Sequence, residues 1–141
     1  MRRLLLAALP LLCGGALAAA PLPFTGLDLS GTYTCTGHDA QEGDYSGIIT
    51  LGINKDQSTG KLGSYNLKLA VPGDGDYLGQ AVSDGSYLAA TFASAKPGSK
   101  DYGLGLAPIT QDAAGVKHFS KYYYEPEYRG GDHGTEDCTR Q

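Results

Sequence analysis

The residues of this chain best able to do chemistry fall into three groups. His38, Asp39, Glu42 and Asp44 stand together in GHDAQEGD (residues 37–44). Such donors could hold a metal ion, but their spacing is neither that of a calcium loop nor that of a zinc motif. A solvated acidic hairpin loop is therefore expected here, and no metal site. The second group is HFSKYYYEPEYRGGDHG (118–134). If Tyr122 and Tyr124 face inward on a strand, so does His118, and Phe119 and Tyr123 then face outward. Clustered tyrosines offer contact area to an aromatic molecule, a sugar or a protein, although tyrosine is also a good strand residue for its own sake. The third is Glu136, on the same strand face as Cys138. Pointing inward, its carboxylate needs partners; Tyr33, Arg140 or a ligand could supply them, and a rim salt bridge is the simpler alternative. No serine, cysteine or histidine sits in a recognisable nucleophile motif, so neither an enzyme nor a cofactor is expected.

Composition sets the compartment and the class. MRRLLLAALPLLCGGALAAA places Arg2 and Arg3 before an apolar run and then small residues, the layout of a secretory signal peptide with cleavage near residues 18–20. Leu11 and Leu12 stand before Cys13 where a lipid-attachment signal wants small residues, so no membrane anchor is expected. Residues 21–141 are then one domain, periplasmic or secreted. Without Arg2 and Arg3 the eleven basic residues fall to nine against fifteen acidic, a formal charge of about −6. The basic residues form no stripe, which argues against nucleic acid as a partner. Cys35 and Cys138 remain near the two ends of the exported chain, and a disulfide between them is expected.

These groups need elements to position them. No window carries a sustained helical period; short alternating runs recur, bounded by Gly, Pro, Asp and Ser. Eight strands are predicted at about 30–37, 45–54, 61–71, 76–83, 86–94, 101–110, 116–125 and 133–140. Tyr45, Gly47, Ile49, Leu51 and Ile53 share one face of the second, and Tyr65, Leu67, Leu69 and Val71 one face of the third. Asp84-Gly85 reads as a two-residue hairpin loop; VPGDGD, KPGSK and DAAG read as turns between neighbours. Eight meandering strands leave two open edges unless they close. A Cys35–Cys138 bond places the first strand beside the last. The expected fold is all-β: a single eight-stranded antiparallel up-and-down barrel closed by its first and last strands.

Asp-Tyr recurs before glycine in GDYSG (43–47), GDYLG (75–79) and KDYGLG (100–105). The pairs open the second, fourth and sixth strands, which start at the same end of a meander. The Asp can hold turn N–H groups, the Tyr can keep its hydroxyl wet at the rim, and the glycine clears space where a strand coils to close. A ring of tyrosines around one mouth is the alternative use of the same residues.

LSGTYTCTGHD, the DYSG and DYLG strands and GTEDCTR together resemble the small lipocalin-like or avidin-like β-barrels of exported bacterial proteins, over nearly the whole mature chain. Tyr33 in SGTY stands where lipocalins usually carry a tryptophan, and the chain has no tryptophan. The resemblance implies a barrel that binds a small molecule or a partner and rarely catalyses. The expected function is non-enzymatic binding of a small hydrophobic or aromatic ligand, with His118, Tyr122, Tyr124, Tyr33 and Glu136 at the site. A protein-interaction module with a packed barrel, working through its loops, is the alternative.

Overall fold

The computed structural model describes residues 21–141, so the expected signal peptide lies outside the described residues. Eight strands follow one another: β1 (Gly31–Asp39), β2 (Gly43–Ile53), β3 (Gly63–Val71), β4 (Gly75–Ser83), β5 (Tyr87–Ser94), β6 (Tyr102–Gln111), β7 (Lys117–Glu125) and β8 (Asp132–Arg140). Each pairs antiparallel with its neighbour in sequence, and β8 pairs with β1, closing the barrel. No sheet edge is left unpaired, which removes the edge problem of an open meander. Among the described residues no helix is long and apolar enough to cross a membrane.

Closure and disulfide coincide. Cys35 and Cys138 are direct partners in the β1–β8 ladder and are bonded, with Cα atoms 4.1 Å apart. Both point inward, beside Phe119, the cross-strand partner of Cys138 on the other side.

The two ends of the barrel differ. Segment 21–30 covers one end: Leu29 is fully buried, Tyr33 Oη donates to its carbonyl at 2.8 Å, and Tyr65 Oη donates to the Leu27 carbonyl at 3.2 Å. Tyr33 packs its ring 5.0 Å from that of Phe119, so this end is a solid floor. At the other end lie the β1–β2, β3–β4, β5–β6 and β7–β8 connections, and it opens to solvent as a mouth.

Two sequence expectations need correcting. The β4–β5 connection is wider than two residues, because the Asp84 carboxylate accepts the N–H groups of both Ser86 and Tyr87 and pairing resumes at Ser83–Leu88. The facing of β7 is the reverse of that expected. Phe119, Lys121, Tyr123 and Glu125 point inward, whereas Tyr122 and Tyr124 are exposed and His118 sits on the outer face. Ladder pairs share a face, and Phe119, Lys121 and Glu125 stand opposite Cys138, Glu136 and Asp132. The disulfide and the inward Lys121–Glu136 pair thus fix the register against the apolar count, while Glu125 opposite Asp132 works against it.

Inward glycines make room for rings. A Cβ on Gly37 would fall 2.3 Å from the Tyr45 ring, and one on Gly134 would fall 2.3 Å from the Tyr123 hydroxyl. At Gly79 a Cβ would meet the Thr91 carbonyl at 1.8 Å, so β4 and β5 approach closer there than any side chain permits. The third Asp-Tyr is out of phase with the others: Tyr45 and Tyr77 turn inward, but Asp101 is buried and Tyr102 turns outward.

The outer face of β4–β7 is apolar. Leu78, Val82, Tyr87, Leu104, Leu106, Tyr122 and Tyr124 are all exposed there, and the ladder sets Leu106 beside Tyr122 and Leu104 beside Tyr124.

Candidate functional site

The mouth opens into a cavity of about 250 Å³. Its apolar wall is Leu69, Val71 and Phe92; its tyrosines include Tyr45, Tyr77 and Tyr123; its charged side chains include Asp39, Asp101, Lys121 and Glu125. Every one of these residues except Asp101 lies on a strand, so the constellation is set by the ladder register. The volume exceeds the roughly 150 Å³ that admits benzene and falls just short of the roughly 300 Å³ where drug-sized pockets begin. One ring with a short substituent fits it.

Below the cavity is a buried ion pair. Lys121 Nζ lies 2.6 Å from Glu136 Oε2, and both side chains are removed from solvent. Tyr45 Oη donates to Glu136 Oε1 at 3.2 Å. The ammonium also lies 5.2 Å from the Phe92 ring centroid and 5.5 Å from that of Tyr123, within cation–π range.

The mouth is crowded with carboxyl groups. Tyr77 Oη donates to Asp101 Oδ2 at 2.7 Å and also touches Asp74 Oδ2; it has one proton for two acceptors. Burial and both carboxylates push its phenol well above the ordinary range. Burial opposes ionisation of Asp39, but the N–H groups of Gln41 and Glu42 and the Tyr123 hydroxyl outweigh it and hold its carboxyl low. Glu125 is pushed up to about 8, first by burial, then by its hydrogen bond with Asp101 and the charges of Asp101, Asp39 and Asp132. Asp132 is raised as well, by burial and by Asp39. Carboxylate oxygens of Asp39, Glu125 and Asp132 lie within 4.8 Å of one another.

The mouth loops are braced outside this group. Arg129, in the left-handed region at φ 46°, places its guanidinium 2.7 Å from Glu42 Oε1, to which Tyr128 Oη also donates. Lys96 Nζ is 2.6 Å from Asp74 Oδ1.

The structure separates the residues expected to form one site. Tyr33 is part of the floor. His118, outside the barrel, has Nδ1 3.0 Å from Thr139 Oγ1 and Nε2 3.4 Å from Asp112. Tyr122 and Tyr124 belong to the outer apolar face. Only Glu136 lies near the cavity, and its partners are Lys121 and Tyr45 rather than Tyr33 or Arg140. The acidic hairpin is solvated at His38, Glu42 and Asp44, but Asp39 is buried. Lys121, Tyr123, Glu125 and Asp132, missed from the sequence, carried one usable signal: they share strand faces with Phe119 and Cys138.

No protein-family model and no curated protein sequence matches the chain. It is similar to the solved structure of EF1p2_mFAP2b bound to DFHBI, at 16% identity and a TM-score of 0.49, over 80% of this chain and 94% of that one.

Proposed function

We propose that this protein is an exported, non-enzymatic barrel that binds a small aromatic or apolar molecule in the cavity at its mouth. The observation that carries this reading is the cavity itself: about 250 Å³, bounded by Leu69, Val71 and Phe92 and rimmed by tyrosine hydroxyls and carboxylates. An apolar wall with a few converging polar groups is the usual make-up of a small-molecule site. The disulfide and the signal-like first twenty residues support export.

Ligand-observed NMR with one-ring probes, phenol and tyramine, tests the reading. Val71→Trp fills the cavity from its wall and should abolish binding, while Leu104→Lys on the outer face should leave it intact. Equal binding by wild type and Val71→Trp would remove the cavity from the account.

A protein-contact role has its own observation, the exposed apolar face of β4–β7. It replaces the loops as the surface such a role would use. Between Leu78 and Tyr124 the strands of this face present no Asp, Glu, Lys or Arg side chain outward, so two acidic copies could meet there without like charges opposing. Sedimentation of wild type against Leu104→Lys/Leu106→Lys separates this role from ligand binding: a wild-type dimer that the double variant dissolves supports it, and a wild-type monomer at high concentration removes it.

A further inference from the structure

We propose that Asp39, Glu125 and Asp132 form a binding site for a hard divalent cation of the calcium class at the mouth of the barrel. Asp39 and Glu125 also line the cavity, but the proposal does not rest on the small-molecule reading. The last residue of β1, the last of β7 and the first of β8 bring the three carboxylates together: Glu125 and Asp132 are direct ladder partners, and Asp39 pairs with Gly134. One oxygen from each lies within 4.8 Å of the others. Bonds of about 2.3–2.6 Å let one calcium ion touch oxygens up to about 5 Å apart. The donors are all carboxylate oxygens, the set that hard cations take and that soft metals do not.

The second observation is an unpartnered oxygen. Asp132 is fully buried; its Oδ1 accepts its neighbour His133 N–H at 2.7 Å, and its Oδ2 is buried with no hydrogen-bond partner. Beside Glu125, Asp101 does not repeat the pattern: its Oδ2 accepts from Tyr77, and Glu125 is its hydrogen-bond partner. A bare buried carboxylate oxygen is costly unless a proton or a cation meets it. The nearby cations are engaged elsewhere: Lys121 with Glu136, Arg129 with Glu42, Lys96 with Asp74.

The outer supports suit a ligand set as well. Asp39 is oriented by the Gln41 and Glu42 N–H groups at 2.9 and 2.8 Å and by Tyr123 Oη at 2.9 Å, and such partners aim a metal-binding carboxylate. Both N–H groups go to Oδ1, which they fill; Oδ2 accepts only from Tyr123 and keeps one lone pair for an ion. Three buried carboxylates demand that the ion shed much of its water. Calcium does so readily and magnesium reluctantly, so calcium is the favoured ion.

The experiment uses the disulfide-intact mature protein, freed of metal with EDTA and then titrated with calcium chloride, magnesium chloride or sodium chloride of equal ionic strength. Melting temperature and calorimetric heat are read. Calcium should bind with a Kd of about 10⁻⁴–10⁻³ M, the range of extracellular sites, and at about ten times Kd should raise the melting temperature by about 4–8 °C. EDTA should reverse the shift, and magnesium should act more weakly. Asp132→Asn and Glu125→Gln keep the side-chain shape and relieve the crowding of charge, so both should fold; each should weaken calcium at least about tenfold. Asp56→Asn, exposed in the β2–β3 connection at the other end of the barrel, should bind as wild type does. Three results would overturn the proposal: no calcium heat or shift, a shift matched by sodium chloride, or unchanged calcium binding in Asp132→Asn.

Discussion

Lys121 and Glu136 are direct partners across the β7–β8 ladder, with Nζ 2.6 Å from Oε2 inside the barrel. A buried pair of this kind contributes little net stability against an apolar pair of the same volume, but loss of one member strands the other charge. It also fixes orientation: a one-residue slip of β7 would put Lys121 outside and leave Glu136 alone in the interior.

Lys121→Ala should therefore destabilise the protein by about 3–5 kcal/mol. The double variant Lys121→Met/Glu136→Leu should recover most of that loss, because neither charge remains. Urea midpoints of the two variants and wild type check this. A double variant as unstable as Lys121→Ala would show that packing, not charge, sets the cost.

Gly47 and Ser46 are adjacent but oppositely placed. A Cβ on Gly47 would come within 2.8 Å of Leu69 Cδ1 and 3.2 Å of the Ala70 carbonyl, whereas Ser46 is exposed. Gly47→Val should cost about 1–3 kcal/mol through overpacking, and Ser46→Val should stay within about 0.5 kcal/mol of wild type. Equal urea midpoints would contradict the register of β2.

The disulfide links residues 103 apart in sequence. On the chain-entropy account, closing a loop of that size restricts the unfolded chain by about 4–5 kcal/mol. Cys35→Ala/Cys138→Ala should lose several kcal/mol in urea melts while keeping its strand signal in circular dichroism, since the β1–β8 ladder does not depend on the bond alone. Mass spectrometry of unreduced peptides should recover Cys35 joined to Cys138.

Most of the architecture was legible because its determinants are local. Turns such as VPGDGD and KPGSK punctuate the chain, and β2 and β3 alternate cleanly, so the predicted strand limits agree with the structure to within two residues. Closure was legible because two cysteines sit on the first and last strands. The facing of β7 was not. Counting apolar residues favours Tyr122 and Tyr124 over a face holding Lys121 and Glu125, and only the partners on β8 reverse the balance. The third Asp-Tyr carries its own signal: its glycine follows the tyrosine directly, where the other two leave one residue between, and Tyr102 turns outward. The carboxylates at 39, 101, 125 and 132 could not be grouped from sequence, because closure brings them to one side of the mouth.

Glu125 ionises near its ordinary value of 4.5 in the unfolded chain and near 8 in the folded barrel, where burial and then Asp101, Asp39 and Asp132 oppose its charge. Between those values the folded protein holds more protons than the unfolded one. This group's contribution to stability is therefore fully present below about pH 4.5 and is lost as pH rises toward 8. Glu125→Gln cannot lose that proton. In EDTA its melting temperature relative to wild type should increase from pH 5.5 to pH 8. A constant difference across that window would show that the carboxyl titrates as it does in the unfolded chain.

Tyr123 and Tyr122 give the sharpest test of the β7 register. Tyr123 is buried, donates to Asp39 Oδ2 at 2.9 Å and stacks edge-on with Phe92 at 5.8 Å between ring centroids. Tyr122 is more than half exposed, with Leu106 beside it and the His133 ring 6.5 Å away. Tyr123→Ala empties the mouth of a ring and strips Asp39 of a donor, so it should cost about 3–5 kcal/mol, with the Asp39 carboxyl moving up toward its ordinary range. Tyr122→Ala should cost no more than about 0.5 kcal/mol. Denaturation midpoints give the ranking, and carboxyl titration by NMR follows Asp39. The opposite ranking would place Tyr122 inside, restore the cluster expected from the sequence and dissolve the carboxylate group at the mouth.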